Sequence, residues 1–182
     1  MSFEAESWRI LGDAEYHCVW DKVDEMFQFS PSIDSTVKPF NFKIPVDIYD
    51  ITASSIWHDD NAINEQIRCA LVECIKNDDY MYALDWQHTC FRYNPRIIDR
   101  LDYPIFIKYD TPIKNEHVNW EGYNVYFPTF YPNGDYYFFI AKDFSWGYLT
   151  HPWLKRVYIY GDCIRKCFSR FADEIGFILC AK

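Results

Sequence analysis

The stretch YPNGDYYFFIAKDFSWGYLTHPWLKRVYIY, residues 131–160, decides the fold class. Pro132-Asn133-Gly134-Asp135 is a turn signal, because Asn-Gly accepts the positive φ that both central positions of a type I′ turn require. Its flanks, Tyr123 to Tyr131 and Asp135 to Lys142, are read as the arms of a hairpin. Ser145 to Thr150 and Trp153 to Tyr160 continue a meander, with Gly147 and His151-Pro152 as punctuation.

Upstream, Tyr80 to Tyr93 alternates Tyr82, Leu84, Trp86 and His88 against Ala83, Asp85 and Gln87, which predicts one long central strand or two joined by a bulge. Phe40 to Ile51 also has period two, and Pro45 places that strand at an edge, since proline cannot donate to a ladder. Two helices precede the meander. In Asp13 to Phe29, Tyr16, Val19, Trp20, Val23, Met26 and Phe27 share a face, and Ser30-Pro31 ends the run. Asp59 or Asp60 can cap the second, in which Ile63, Ile67, Ala70, Leu71, Cys74 and Ile75 recur at helical spacing up to Asn77-Asp78-Asp79. Pro104 to Tyr109 is a further short strand, and Asp110 to Gly122 reads as a surface excursion.

Downstream, Gly161-Asp162 opens a last helix with Ile164, Cys167, Phe168, Phe171 and Ile175 as its stripe and Gly176 as its stop, and Phe177 to Cys180 is a final strand. Strand and helix do not alternate steadily. The order predicts an α+β domain whose largely antiparallel sheet carries helices mainly on one face. No linker, repeat or low-complexity tract divides it, so residues 1–182 are read as a single domain.

The chain has 182 residues, 49% of them apolar and 20% aromatic, enough for one substantial core and too much for a disordered chain. Against 18 Lys and Arg stand 27 Asp and Glu, a formal charge of −9 that argues against direct nucleic-acid binding and suits a basic partner. The seven Cys form no CxxC pair and follow no secretory leader, so they are read as reduced thiols of a cytoplasmic protein. No window approaches a membrane span, and membrane association is not expected.

The usual sequence signs of cofactor chemistry are missing: no GxSxG elbow, phosphate loop or HExxH. No cofactor is expected, nor a metal, because neither His17-Cys18 nor Asp85 with His88 and Cys90 has an established ligand spacing. Cys90 beside His88 is read as a buried thiol rather than a nucleophile. A polar set remains: Asp85, His88, Asp135 and His151. A His with a carboxylate can form a general acid/base pair. The same residues can equally close a turn, cap a corner and satisfy one another at an end of the sheet.

The run Tyr82-Ala83-Leu84-Asp85-Trp86-Gln87-His88, followed by Tyr93-Asn94-Pro95 and Pro132-Asn133-Gly134-Asp135-Tyr136-Tyr137, resembles a bacterial family of unknown function, DUF2716. The likeness extends through Phe144, Gly147, His151-Pro152-Trp153 and Gly161, and weakly back to Trp20, Phe27 and Pro31-Ser32. The family implies no catalytic residue. By analogy, small acidic single-domain proteins of this kind resemble immunity proteins, which neutralise a toxin.

Three readings of function follow. The first is a non-enzymatic binding protein, an immunity or antitoxin-like inhibitor that occludes a basic toxin or effector through an acidic, aromatic surface. Asp59, Asp60, Tyr80, Trp120, Tyr123 and Tyr131 are its candidate contacts, and the acids of the first eighty residues would form its docking side. The second is a small hydrolase or transferase with Asp85, His88, Asp135 and His151 around a cleft at the end of the sheet. The third is a small-molecule or carbohydrate sensor stacking its ligand on Trp86 and Trp153.

Overall fold

The computed structural model describes residues 7–58, 61–75, 80–97 and 127–181. The strands among them are β1 Trp8–Ile10, β2 Val46–Asp50, β3 Met81–Asp85, β4 Phe91–Tyr93, β5 Tyr137–Ala141, β6 Gly147–His151, β7 Arg156–Tyr160 and β8 Ile178–Ala181. The helices are α1 Asp13–Phe27, α2 Asn61–Cys74 and α3 Asp162–Phe168. All eight strands join one sheet in the order β1-β4-β3-β5-β6-β7-β2-β8, and every pairing is antiparallel. The architecture is α+β.

The meander forms as its punctuation requires, with β5, β6 and β7 consecutive neighbours in the registers Phe138↔Leu149 and Leu149↔Tyr158. Every residue of β5 is buried, which is why this strand reads as an unbroken apolar run rather than an alternation. Its side chains divide between two cores. Ala83, Phe139, Tyr148, Val157 and Ile159 pack with Ile67 and Leu71 of α2 and Ile164 and Phe168 of α3. Leu84, Phe138, Ile140, Leu149, Tyr158 and Tyr160 pack with Val19, Val23 and Phe27 of α1.

Two helices therefore share one face, and α1 lies on the other. Alone it is too narrow to cover that face, and the segment after it completes the layer: Phe40 sets its ring 5.7 Å from Phe138 and 5.1 Å from Tyr158. Asp13 and Glu15 in the first turn of α1 complement the positive end of the helix dipole. The helix stops before Ser30-Pro31, where Gln28 turns left-handed at φ 48° and its N–H donates to the Asp24 carbonyl.

Several local expectations are corrected. β2 is shorter than Phe40 to Ile51 and is no edge: it lies between β7 and β8, and Pro45 escapes the ladder by preceding its first residue. Tyr80 to Tyr93 is neither one strand nor a bulged one. The chain turns back, with Gln87 at φ 65°, so that β3 and β4 pair as a hairpin. The Asn-Gly turn is not type I′, since Gly134 takes a positive φ and Asn133 does not, and β5 pairs with β3 and β6; residues 123–126 of the expected first arm lie outside the described residues. Residues 127–131 stay outside the ladder, where Phe127 and Phe130 pack on Phe91 and Phe139. Pro104 to Tyr109 and Asp110 to Gly122 lie outside the described residues.

The cysteines are not all reduced. Cys74 of α2 and Cys163 of α3 form a disulfide across 89 residues of sequence, while Cys18, Cys69, Cys90, Cys167 and Cys180 are free. The spacing hid this bridge because its halves meet only through the packing of α2 on α3.

Candidate functional site

Asp85 ends β3 directly opposite Tyr137 of β5, and Asp135 lies two residues before that tyrosine. Two carboxylates from adjacent strands thus arrive at one end of the sheet. The β3–β4 turn, closed by the His88 N–H donating to the Asp85 carbonyl, carries His88 onto both of them. Its Nδ1 stands 3.0 Å from Asp85 Oδ1 and 3.1 Å from Asp135 Oδ2. The Asp85 and Asp135 side chains are 8% and 19% exposed, whereas His88 is 62% exposed.

Burial pushes the Asp85 carboxyl above the usual range, and the nearby His88 offsets only part of that shift. Burial likewise raises Asp135, against the Tyr136 N–H that its Oδ1 accepts at 2.7 Å and against His88. For His88, partial burial favours the neutral ring, but the two carboxylates outweigh it and hold the imidazole above its ordinary value.

The fourth predicted residue is elsewhere. His151, fully buried, lies 5.0 Å from the Tyr136 ring and 6.3 Å from Trp153. Its Nδ1 accepts the Leu154 N–H at 3.3 Å, which leaves Nε2 to carry the proton without a partner among the described residues. Burial, reinforced by Arg156, pushes its pKa down to about 4. The unfolded chain therefore binds this proton at higher pH than the native one. Stability is unaffected above about pH 7, falls as the pH drops below the ordinary histidine value of 6.5, and is lower by about 3 kcal/mol once the pH passes 4. His151→Asn, which keeps an acceptor for Leu154, should flatten the pH dependence of urea unfolding between about pH 7 and about pH 4. An unchanged slope would show that other groups carry the acid sensitivity.

The remaining candidates scatter. Trp86 and Trp153 lie 6.1 Å and 5.5 Å from the same buried ring, that of Tyr136. Tyr80 packs on the α1 side beneath two cations, Arg92 and Lys142, each 4.5 Å from its ring centre. Tyr131 packs on the opposite core, 6.0 Å from Trp57. Tyr80 and Tyr131 therefore do not share one surface. Asp59, Asp60, Trp120 and Tyr123 fall outside the described residues. Cys90 is buried in the hairpin, its thiol donating toward the Asp85 and His88 carbonyls, and burial pushes its pKa up to about 12. The thiolate is suppressed.

The acids of the first eighty residues do not form one side either. α1 carries Asp13, Glu15, Asp21, Asp24 and Glu25 against a single cation, Lys22. On the opposite face, α2 and α3 balance Glu65, Glu73 and Asp162 with Arg68, Arg165 and Lys166. There Asp47 accepts from Arg165 at 2.9 Å, Glu65 pairs with Arg68 and Glu73 with Arg170. Asp13, Asp21, Asp24 and Glu25 are all exposed, together with His17 and Cys18. Charge asymmetry is thus a property of the two helical layers, and a one-dimensional reading could not divide them.

The class is thus an antiparallel α+β sheet with one acidic helical face and an Asp–His–Asp cluster at one end. The model of the DUF2716 family, described as protein of unknown function, matches residues 10–164, and the chain belongs to that family. It is similar to the uncharacterized protein YxiI of Bacillus subtilis (strain 168), 27% identical over 163 residues that cover 86% of this chain and 88% of that one. No solved structure matches. Among the described residues no helix is long and apolar enough to cross a membrane.

Proposed function

We propose that the protein is a non-enzymatic binding protein of the immunity or antitoxin kind, acting in the cytoplasm to occlude a basic toxin or effector with the exposed face of α1. The observation that carries this reading is the concentration of five carboxylates and one lysine on that helix, with Glu15 paired to Arg92 and Glu25 to Lys22, opposite a layer in which acidic and basic residues balance. Such a face attracts a cationic surface over about a Debye length, 8 Å at physiological salt, and repels anionic competitors. On this reading the carboxylates, held at helical intervals, mimic the phosphates that a basic nuclease cleft would bind.

The test is co-expression with the product of an adjacent toxin-like gene, together with purification of the pair. Protection and a stable complex are expected. Absence of both would end this reading.

A second reading, a small hydrolase or transferase, is favoured by one observation, the convergence of Asp85, His88 and Asp135. In that case the exposed imidazole moves the proton and the carboxylates orient it. His88→Gln would then abolish turnover while leaving the complex intact. A variant that loses the complex instead would count against a separate active site.

A further inference from the structure

We propose that Asp85, His88 and Asp135 form a binding site for a divalent cation of the Mn²⁺ or Fe²⁺ class. The two carboxylate oxygens and the ring nitrogen lie within 4.8 Å of one another. Two of the three separations, 3.0 Å and 3.1 Å, meet at His88 Nδ1. Adjacent ligands of a six-coordinate ion with bonds of about 2.1 Å stand about 3.0 Å apart, so these atoms already occupy the edges of such a polyhedron.

Charge supports the same assignment. Asp85 and Asp135 are largely withdrawn from water, and among the described residues their ion-pair partner is His88 and not a lysine or arginine. One imidazolium neutralises one carboxylate, whereas a divalent ion bound by a neutral imidazole neutralises both. Two carboxylates and one imidazole suit ions that accept oxygen and nitrogen together, and disfavour the soft ions that thiolates select. The ligands come from a strand end, a turn and the approach to a second strand, leaving the solvent side of His88 open for water or a ligand oxygen to complete the shell. Sequence spacing did not announce the site, since Asp135 stands fifty residues from Asp85 and joins it only through the β3–β5 pairing.

The probe is Mn²⁺ added to the whole chain, chosen because sulfur is a poor ligand for it, so the cluster of the Cys74–Cys163 disulfide and the Cys167 thiol does not compete. Electron paramagnetic resonance should count one bound Mn²⁺ per chain, and its pulsed form should detect coupling to an imidazole nitrogen. His88→Gln should remove that coupling, and Asp135→Asn should weaken binding at least about tenfold. His17→Gln, on the exposed face of α1, should change neither. Circular dichroism establishes that each variant is folded before it is compared. Failure to bind stoichiometrically at millimolar Mn²⁺, nitrogen coupling that survives His88→Gln, or an affinity unchanged in Asp135→Asn would each overturn the proposal.

Discussion

Gly161→Ala should cost about 3–5 kcal/mol, enough to unfold much of a domain of ordinary stability. Gly161 joins the last residue of β7 to the first of α3 at φ 92° and ψ 135°, a conformation that side chains with a Cβ avoid. An added Cβ would stand 2.4 Å from Trp146 Cβ, 2.6 Å from the Ser145 carbonyl oxygen and 2.7 Å from Trp146 Cα. These are backbone and backbone-proximal atoms, so no flexible side chain can swing aside. Relief requires β7 and the β5–β6 turn to separate, which disturbs both cores at once. Gly134→Ala is the control. It also replaces a positive φ, but none of the described residues comes within 4 Å of its new Cβ, so it should cost only the backbone strain, about 1–2 kcal/mol. Urea midpoints of the two variants check the difference, and a Gly161→Ala protein within about 1 kcal/mol of the parent would refute the packing described.

Replacing Asp13, Asp21, Asp24 and Glu25 together by their amides should slow association with the cationic partner at least about tenfold at low salt. These four carboxylates are exposed, and with Glu15 they supply the negative charge of α1. Amidation removes four negative charges and releases Lys22, whose ammonium otherwise lies 2.8 Å from Glu25. The formal charge of the helix then goes from −4 to zero while every buried contact of Val19, Val23 and Phe27 stays in place. Near 1 M salt, where screening acts over about 3 Å, the two proteins should associate at similar rates. Stopped-flow association at several ionic strengths checks this. A rate independent of the substitutions at low salt would place the contact elsewhere.

What could be read in one dimension was whatever depends on short-range pattern. The apolar stripe of α1, the meander from β5 to β7 and the last short strand all declare themselves through periodicity and punctuation. The errors arose where tertiary neighbours decide. Tyr82 to His88 alternates well, yet Gln87 takes a left-handed φ and folds the run into a hairpin, because the sheet has room for β4 beside β3. Asn133-Gly134 carries the right residues for a hairpin, yet β5 pairs with β3, so the turn joins the sheet to an irregular segment instead. Asp85, His88 and Asp135 were nameable as a set, but their meeting at Nδ1 depends on that unforeseen hairpin and on the β3–β5 register. His151 was named with them and belongs to a different environment, the aromatic packing around Tyr136 and Trp153. The acidic bias was visible in composition, and its confinement to α1 was not, since α1 and α2 are neighbours in sequence but lie on opposite faces of the sheet.

That division supplies its own probe. Cys18 is exposed on α1 and Cys69 is exposed on α2, so the chain carries one exposed thiol on each helical face. Alkylation rates of the two, measured by mass spectrometry with and without the cationic partner, test directly whether α1 is the docking face. The account predicts that the partner protects Cys18 and leaves Cys69 reacting at its free rate. Protection of Cys69 with Cys18 still reactive would contradict it.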